Sequence, residues 1–237
     1  MKKSGSNTLF VTGTDTSVGK TYVCARLLEF LTSRGRDAAY QKWVATGVSG
    51  GLPEDLAVCR AAVSRAISPS SIREHVPYCF KHPASPHLAA AMEGAEVEPE
   101  FILQQHRIMA ARHEWLIVEG VGGILVPLRR DLLLADLLAR VKPRTLVVAR
   151  SGLGTLNHTL LTLEALRSRN IPVLGVVFSD QQEQEDDRLV EDNLRTIETT
   201  GRTRVFGRLH RLPDINIKKS AFVPVGEAIL AELLKDN

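Results

Sequence analysis

The chain has 237 residues, 44% hydrophobic and 24% charged, with 30 Lys and Arg against 27 Asp and Glu. Size scaling for such a chain buries roughly 70% of its unfolded surface, enough for a core without disulfides or structural metal. The net charge of +3 is spread among interspersed signs, which excludes a basic nucleic-acid footprint, and no run nears the ~18 apolar residues of a membrane span.

Met1 to Asn7 is short and polar, with no apolar stretch of signal-peptide length behind it. Cys24, Cys59 and Cys79 form no CxxC and suit a reducing compartment. The expectation is a soluble cytoplasmic protein.

In chain order, Thr8 to Thr12 predicts a strand, and Lys20 to Arg34 a helix with Val23, Leu27 and Leu31 on one face. Ala38 to Gln41 predicts a second strand, and Ser49 to Pro53 a turn between elements of one domain. Trp115 to Val118, Thr145 to Ala149 and Val173 to Phe178 are continuous apolar runs, the pattern of strands covered on both faces. Leu132 to Leu138, interrupted by Asp136, predicts a core-facing helix. Leu156, Leu160 and Leu163 mark another, Gln181 to Asp187 a surface loop, and Glu185 to Thr199 a further helix. Recurrent strand–helix–strand order predicts a single α/β domain over 1–237, its mostly parallel sheet flanked by helices in three layers.

The sharpest motif is Gly13-Thr14-Asp15-Thr16-Ser17-Val18-Gly19-Lys20-Thr21, after a strand and opening a helix. Small residues there let backbone N–H groups wrap a phosphate at a helix N-terminus. Lys20 can reach the β- and γ-phosphates, and Thr21 can ligate Mg²⁺. Five residues, not the usual four, separate Gly13 from Gly19. The assignment therefore rests on Gly19-Lys20-Thr21 and its context, and by itself means nucleotide binding.

Lys42 follows the second strand, at the crevice where open parallel sheets bind ligands; the plain alternative is a solvated strand-end lysine. Glu119 follows Trp115 to Val118, a placement unsuited to a bland surface role. Gly120, Gly122 and Gly123 would let backbone approach a ligand, or form a flexible turn. Asp55 could be a third oxygen ligand or a helix cap. His87 and His158 have no second His or Cys at ligand spacing and read as structural polar residues.

Four further segments accompany the loop in order: Lys42-Trp43-Val44-Ala45-Thr46-Gly47, Ser85-Pro86-His87-Leu88-Ala89-Ala90, Val118-Glu119-Gly120-Val121-Gly122-Gly123, and Leu153-Gly154-Thr155-Leu156-Asn157-His158-Thr159. Together the five segments resemble the dethiobiotin synthetase family, from about Leu9 to Asp180. The resemblance implies an ATP- and Mg²⁺-dependent ligase. It would carboxylate 7,8-diaminononanoate with CO2 or bicarbonate, phosphorylate the carbamate and close a cyclic urea. It implies Lys20, Lys42 and Thr16 as catalytic residues and Thr21, Asp55 and Glu119 as the metal set. It implies nucleotide contacts from Ser17, Val18, Gly19, Lys20, Thr21, Tyr22, Asp55, Glu119, Gly120, Val121, Gly122, Ser179, Asp180 and His210. Substrate contacts fall to Thr46, Leu153, Gly154, Thr155 and Asn157. The last four would come from the second subunit of a homodimer; without the resemblance Asn157 reads as an N-cap. The Thr16 and Thr46 hydroxyls are ligand contacts or groups satisfying their own loops.

Three positions depart from the family pattern: Trp43 and His210 stand where Pro is usual, and Ser179 where an Asn commonly reads adenine. The first predicts an altered path for the loop carrying Lys42, and the others predict relaxed nucleotide selectivity. Two other functions compete. An amidotransferase-type cobyrinic acid synthetase would carry a glutaminase domain, for which this length leaves no room. A partitioning ATPase would carry an extra lysine where Thr14 and Asp15 stand.

Overall fold

A computed structural model of the chain describes residues 7–63, 71–180, 185–211 and 215–235. The elements run β1 (Asn7–Gly13), α1 (Lys20–Ser33), β2 (Ala38–Lys42), β3 (Val44–Ala45), α2 (Glu54–Val63), α3 (Ile72–His75) and β4 (Tyr78–Cys79). Next come α4 (Pro86–Met92), α5 (Pro99–Arg112), β5 (Trp115–Gly123), β6 (Pro127–Arg129), β7 (Leu132–Leu133) and α6 (Leu134–Val141). The chain continues through β8 (Arg144–Arg150), α7 (Thr155–Arg167), β9 (Val173–Ser179), α8 (Asp187–Thr200), β10 (Val205–Leu209) and α9 (Ile215–Leu234).

Six strands form one parallel sheet in the order β10-β9-β8-β1-β5-β2. Alternation along each strand divides the core in two. Leu9, Val11, Tyr40 and Ile117 pack with α1, α2 and α9 on one face. Phe10, Ala39, Leu116 and Val118 pack with α5, α6, α7 and α8 on the other. Helices on both faces are what an all-parallel sheet requires, because its crossovers need them. The three-layer α/β architecture expected from the sequence is the architecture observed.

Differences from the sequence reading are local. Leu132 and Leu133 pair in a small antiparallel hairpin with β6, so the Leu-rich helix begins at Leu134. Its Asp136 turns outward to Arg169, 2.9 Å away. β5 runs on through Glu119 to Gly123 rather than ending in a turn, because Gly123 still pairs with Gly13 of β1. Asp186 caps α8, accepting from the amides of Arg188 (2.9 Å) and Leu189 (3.3 Å). The expected loop at 181–187 lies outside the described residues up to 184.

Candidate active site

β1 lies inside the sheet between β5 and β8, so its C-terminal end opens into the crevice where the strand order reverses. There the chain folds back on itself. Lys20 Nζ donates to the carbonyl of Asp15 at 2.8 Å. A Cβ on Gly13 would lie 2.7 Å from Val18 Cγ2 and 3.0 Å from Lys20 Nζ, so only glycine fits this curl. Gly19 is the N-cap residue of α1 with φ 96°, a left-handed conformation, and no side chain caps the helix. The first amides of α1 and its dipole are thus left to an anion in the crevice. Asp15 braces the loop: its carboxylate accepts from Thr16 N at 2.7 Å and pairs with Arg150 of β8 at 3.2 Å.

Lys42 and Glu119 are partners in the β2–β5 register, so both side chains leave the same face of the sheet. Lys42 Nζ donates to Glu119 Oε1 at 3.0 Å and to Asp55 Oδ2. Thr21 Oγ1 donates to Glu119 Oε1 at 2.9 Å and contacts Asp55 Oδ1 at 2.5 Å. Tyr40 OH donates to Glu119 Oε2 at 2.7 Å. Asp55 stands in the first turn of α2 and serves this cluster rather than capping its helix. Glu119 is only 1% exposed. A charge so buried persists when paired and hydrogen-bonded, as here.

Burial works against the Lys42 ammonium, but Glu119 and Asp55 outweigh it and hold its pKa above the ordinary lysine value. Burial likewise opposes the Asp55 carboxylate, and Lys42 and Thr21 outweigh it to hold that pKa below the usual range. For Lys20 burial wins, lowering its pKa against the pull of Glu119, with Lys42 adding to the lowering. Two ammonium groups and two carboxylates thus stand together, with Lys20, Lys42 and Glu119 buried and Asp55 partly exposed.

Asp55, Glu119 and the Thr21 hydroxyl supply hard oxygens on one side of the phosphate loop. Mg²⁺ keeps several waters and takes phosphate oxygens as well, so two carboxylates and one hydroxyl fit it. Among the described residues no cluster of three or more His, Cys, Asp or Glu forms a denser metal site.

The far side of the loop is built differently. Ser179 ends β9 directly beneath Gly19, where an added Cβ would come within 2.6 Å of Ser179 Oγ. Asp180 is 2% exposed at its side chain and accepts from Ser151 Oγ (2.6 Å), Arg208 Nε (2.8 Å) and His210 Nδ1 (3.1 Å). Asn193 holds the Ser151 carbonyl at 2.9 Å. Asp180 therefore ties β8, β9 and β10 together, while the His210 ring is half-exposed.

The remaining expected residues scatter. Thr16 and Ser17 are exposed on the loop, Val18 is buried, and Tyr22 packs on the core beside Arg26. Gly120 lies against Phe10 and Leu134, Val121 against the same core, and Gly122 faces Thr16 across the crevice. Thr46 is half-buried just after β3. Leu153, Gly154 and Asn157 are exposed and Thr155 is buried at the start of α7. Gly154, not Asn157, occupies the N-cap position there, because the helix begins three residues earlier than a cap at 157 would require.

Trp43 is packed away from Lys42. One residue further along the chain, it faces the opposite side of the sheet, against Phe10 (5.2 Å between rings) and His106 (5.9 Å). Of the two histidines read as structural, His87 Nδ1 lies 3.1 Å from Ser85 Oγ, and His158 is half-buried on α7. Sequence reasoning passed over Tyr40, Asp15, Arg150, Ser151 and Arg208. Only Tyr40 left a usable signal, standing two residues before Lys42 and so on the same strand face.

Comparison with known proteins places this geometry in a family. A family model described as an AAA domain matches residues 7–219. A protein of Anaeromyxobacter dehalogenans (strain 2CP-C) named ATP-dependent dethiobiotin synthetase BioD is 42% identical over 207 residues, covering 87% of this chain and 91% of its own. Proteins of the same name from Methanococcus vannielii and Brucella ovis are 37% and 41% identical, over 89% of this chain and 98% and 89% of theirs. Solved structures share the fold alone. A plasmid partition protein from Borrelia burgdorferi matches with TM-score 0.60 at 9% identity, covering 98% of this chain and 99% of its own. Pyrococcus furiosus cell division ATPase MinD matches with TM-score 0.57 at 14% identity, over 95% and 99%. The partition ATPases thus share the scaffold, while sequence identity over nearly the whole chain separates the two groups: this chain belongs to the dethiobiotin synthetase family.

Proposed function

We propose that this protein is an ATP-dependent dethiobiotin synthetase, one domain over residues 1–237 that closes the cyclic urea of biotin biosynthesis. One amine of 7,8-diaminononanoate adds to CO2 and loses a proton, giving a carbamate. A carbamate oxygen attacks the γ-phosphorus of ATP and ADP leaves. The second amine attacks the carbamoyl carbon, phosphate departs, and the ring closes.

The observation that carries this reading is the buried Lys42–Glu119 pair beside a P-loop, at the ends of adjacent parallel strands. A carbamate and a γ-phosphate repel each other, so catalysis consists of bringing them together in a cationic, pre-organised crevice. Lys20 leaves the Asp15 carbonyl for the β- and γ-phosphates. Lys42, held cationic by its two carboxylates, bridges carbamate and phosphate, with Thr16 beside it and Thr46 toward the substrate. Thr21, Asp55 and Glu119 would hold Mg²⁺, which neutralises phosphate charge when bound. The nucleotide is wrapped by Ser17 to Tyr22 and flanked by Gly120 to Gly122, with Ser179, Asp180 and His210 on the base side.

A second copy of the chain completes the site, presenting Leu153, Gly154, Thr155 and Asn157 to the substrate carboxylate at the N-terminus of α7. Leu153 is 85% and Leu161 55% exposed on this segment, apolar surface that a homodimer would cover. The compartment is the cytoplasm; no helix among the described residues is long and apolar enough to cross a membrane.

The test supplies diaminononanoate, bicarbonate and MgATP and follows the cyclic urea and phosphate. One phosphate per ring is expected, lost in Lys20→Ala and Lys42→Ala, with the second variant still binding ATP. ATP turnover without ring product would move the protein to another carboxylate-activating ligation, and hydrolysis indifferent to the diamine would make it a nucleotide switch.

A further inference from the structure

Glu119 presents two oxygens with different neighbours. Oε1 accepts from Thr21 and Lys42, groups of the crevice, whereas Oε2 accepts from Tyr40 OH at 2.7 Å. Tyr40 is 3% exposed, and its carbonyl lies 2.6 Å from His75 Nδ1. Its backbone pairs with Ile117, two residues before Glu119 on β5. Strand register at one end and ring burial at the other therefore fix where the phenol oxygen sits.

We infer that Tyr40 is a positioning residue for the metal–nucleotide site: its phenol anchors Oε2 of Glu119 and so aims Oε1 at the Mg²⁺ position. The inference rests on the assignment of Glu119 to Mg²⁺ made above. A neutral O–H donor suits this task. It satisfies a buried carboxylate oxygen through a charge-assisted bond yet adds no positive charge. A lysine or arginine at this position would put a further cation beside Lys42 and compete with the metal for Glu119. Hydrogen-bonding groups behind metal ligands commonly hold ligand orientation in this way.

The test is ATP binding to Tyr40→Phe by calorimetry, with and without Mg²⁺. The half-saturating Mg²⁺ concentration is expected to rise about tenfold, with metal-free ATP binding unchanged. An unaltered Mg²⁺ dependence, or equal weakening of ATP binding with and without metal, overturns the inference, since the latter is what mere structural damage would produce. In a Glu119→Gln background Tyr40→Phe is expected to add no further shift; a fully additive one overturns it. A readout in the unmodified protein covers a variant that fails to fold. With ¹³Cζ-labelled tyrosine and a non-hydrolysable ATP analogue, the Tyr40 resonance should move when Mg²⁺ is added, and a static resonance overturns the inference. Normal MgATP binding without cyclic urea would defeat the synthetase reading alone, and normal ring closure with Mg²⁺-insensitive Tyr40→Phe would defeat this one alone.

Discussion

Ser179 keeps its hydroxyl against the phosphate loop, within 2.6 Å of where a Gly19 side chain would begin. The neighbouring Asp180 carboxylate is committed to Ser151, Arg208 and His210. A hydroxyl so placed cannot offer a base the paired donor and acceptor of an amide, and one neutral hydrogen bond is worth only about 1 kcal/mol. Turnover with ATP, GTP and CTP should therefore agree within about tenfold, and Ser179→Asn should widen the gap in favour of ATP. A large ATP preference in the unmodified protein would reject this. The same arrangement makes Gly19 irreplaceable: Gly19→Ala adds left-handed backbone strain to the contact with Ser179.

At the scale of the element, β2 shows how one strand serves two purposes. Tyr40 and Lys42 face α1 and α2 and build the site, while Gln41 and Trp43 face the other core, where Trp43 Nε1 donates to Gln41 Oε1 at 3.2 Å. The sheet separates the two sets, so damage to one side need not reach the other. Trp43→Ala should lose about 3–5 kcal/mol of stability, the usual cost of emptying a large aromatic site, while MgATP affinity per folded molecule stays as it was. Urea unfolding beside calorimetry on the same sample reads both. Loss of affinity without loss of stability would mean that Trp43 does govern the path of Lys42, as its departure from the family pattern had predicted.

Across the whole molecule, stability carries a pH dependence written into the second core. His106, 6% exposed against the edge of Trp43, has its pKa lowered to about 4, by burial first and by Arg107 second. The unfolded chain binds this proton near pH 6.5 and the folded chain only near 4, so stability is unaffected above that upper value and falls as pH drops between the two. The loss approaches about 3 kcal/mol, and His106→Leu should flatten that part of the profile in urea unfolding followed by tryptophan fluorescence. Assembly is testable at the same scale. Leu153→Asp should leave a monomer in sedimentation and abolish ring closure while sparing ATP binding, and a dimer that survives would place the interface elsewhere.

The phosphate loop, its flanking strand and helix, and the layered sheet were readable along the chain, because each is encoded by neighbours: small residues at a turn, apolar runs in strands, a repeating helical face. What the tertiary structure alone decided lies between residues far apart. Lys42 meets Asp55 across 13 positions and Glu119 across 77, and Thr21 reaches Glu119 across 98. The family resemblance could name those residues, but it gave no sign of Tyr40 behind Glu119 or of Arg208 and Ser151 around Asp180. Such contacts follow from strand order and register, which set whose side chains share a face, and no local pattern of residues specifies either.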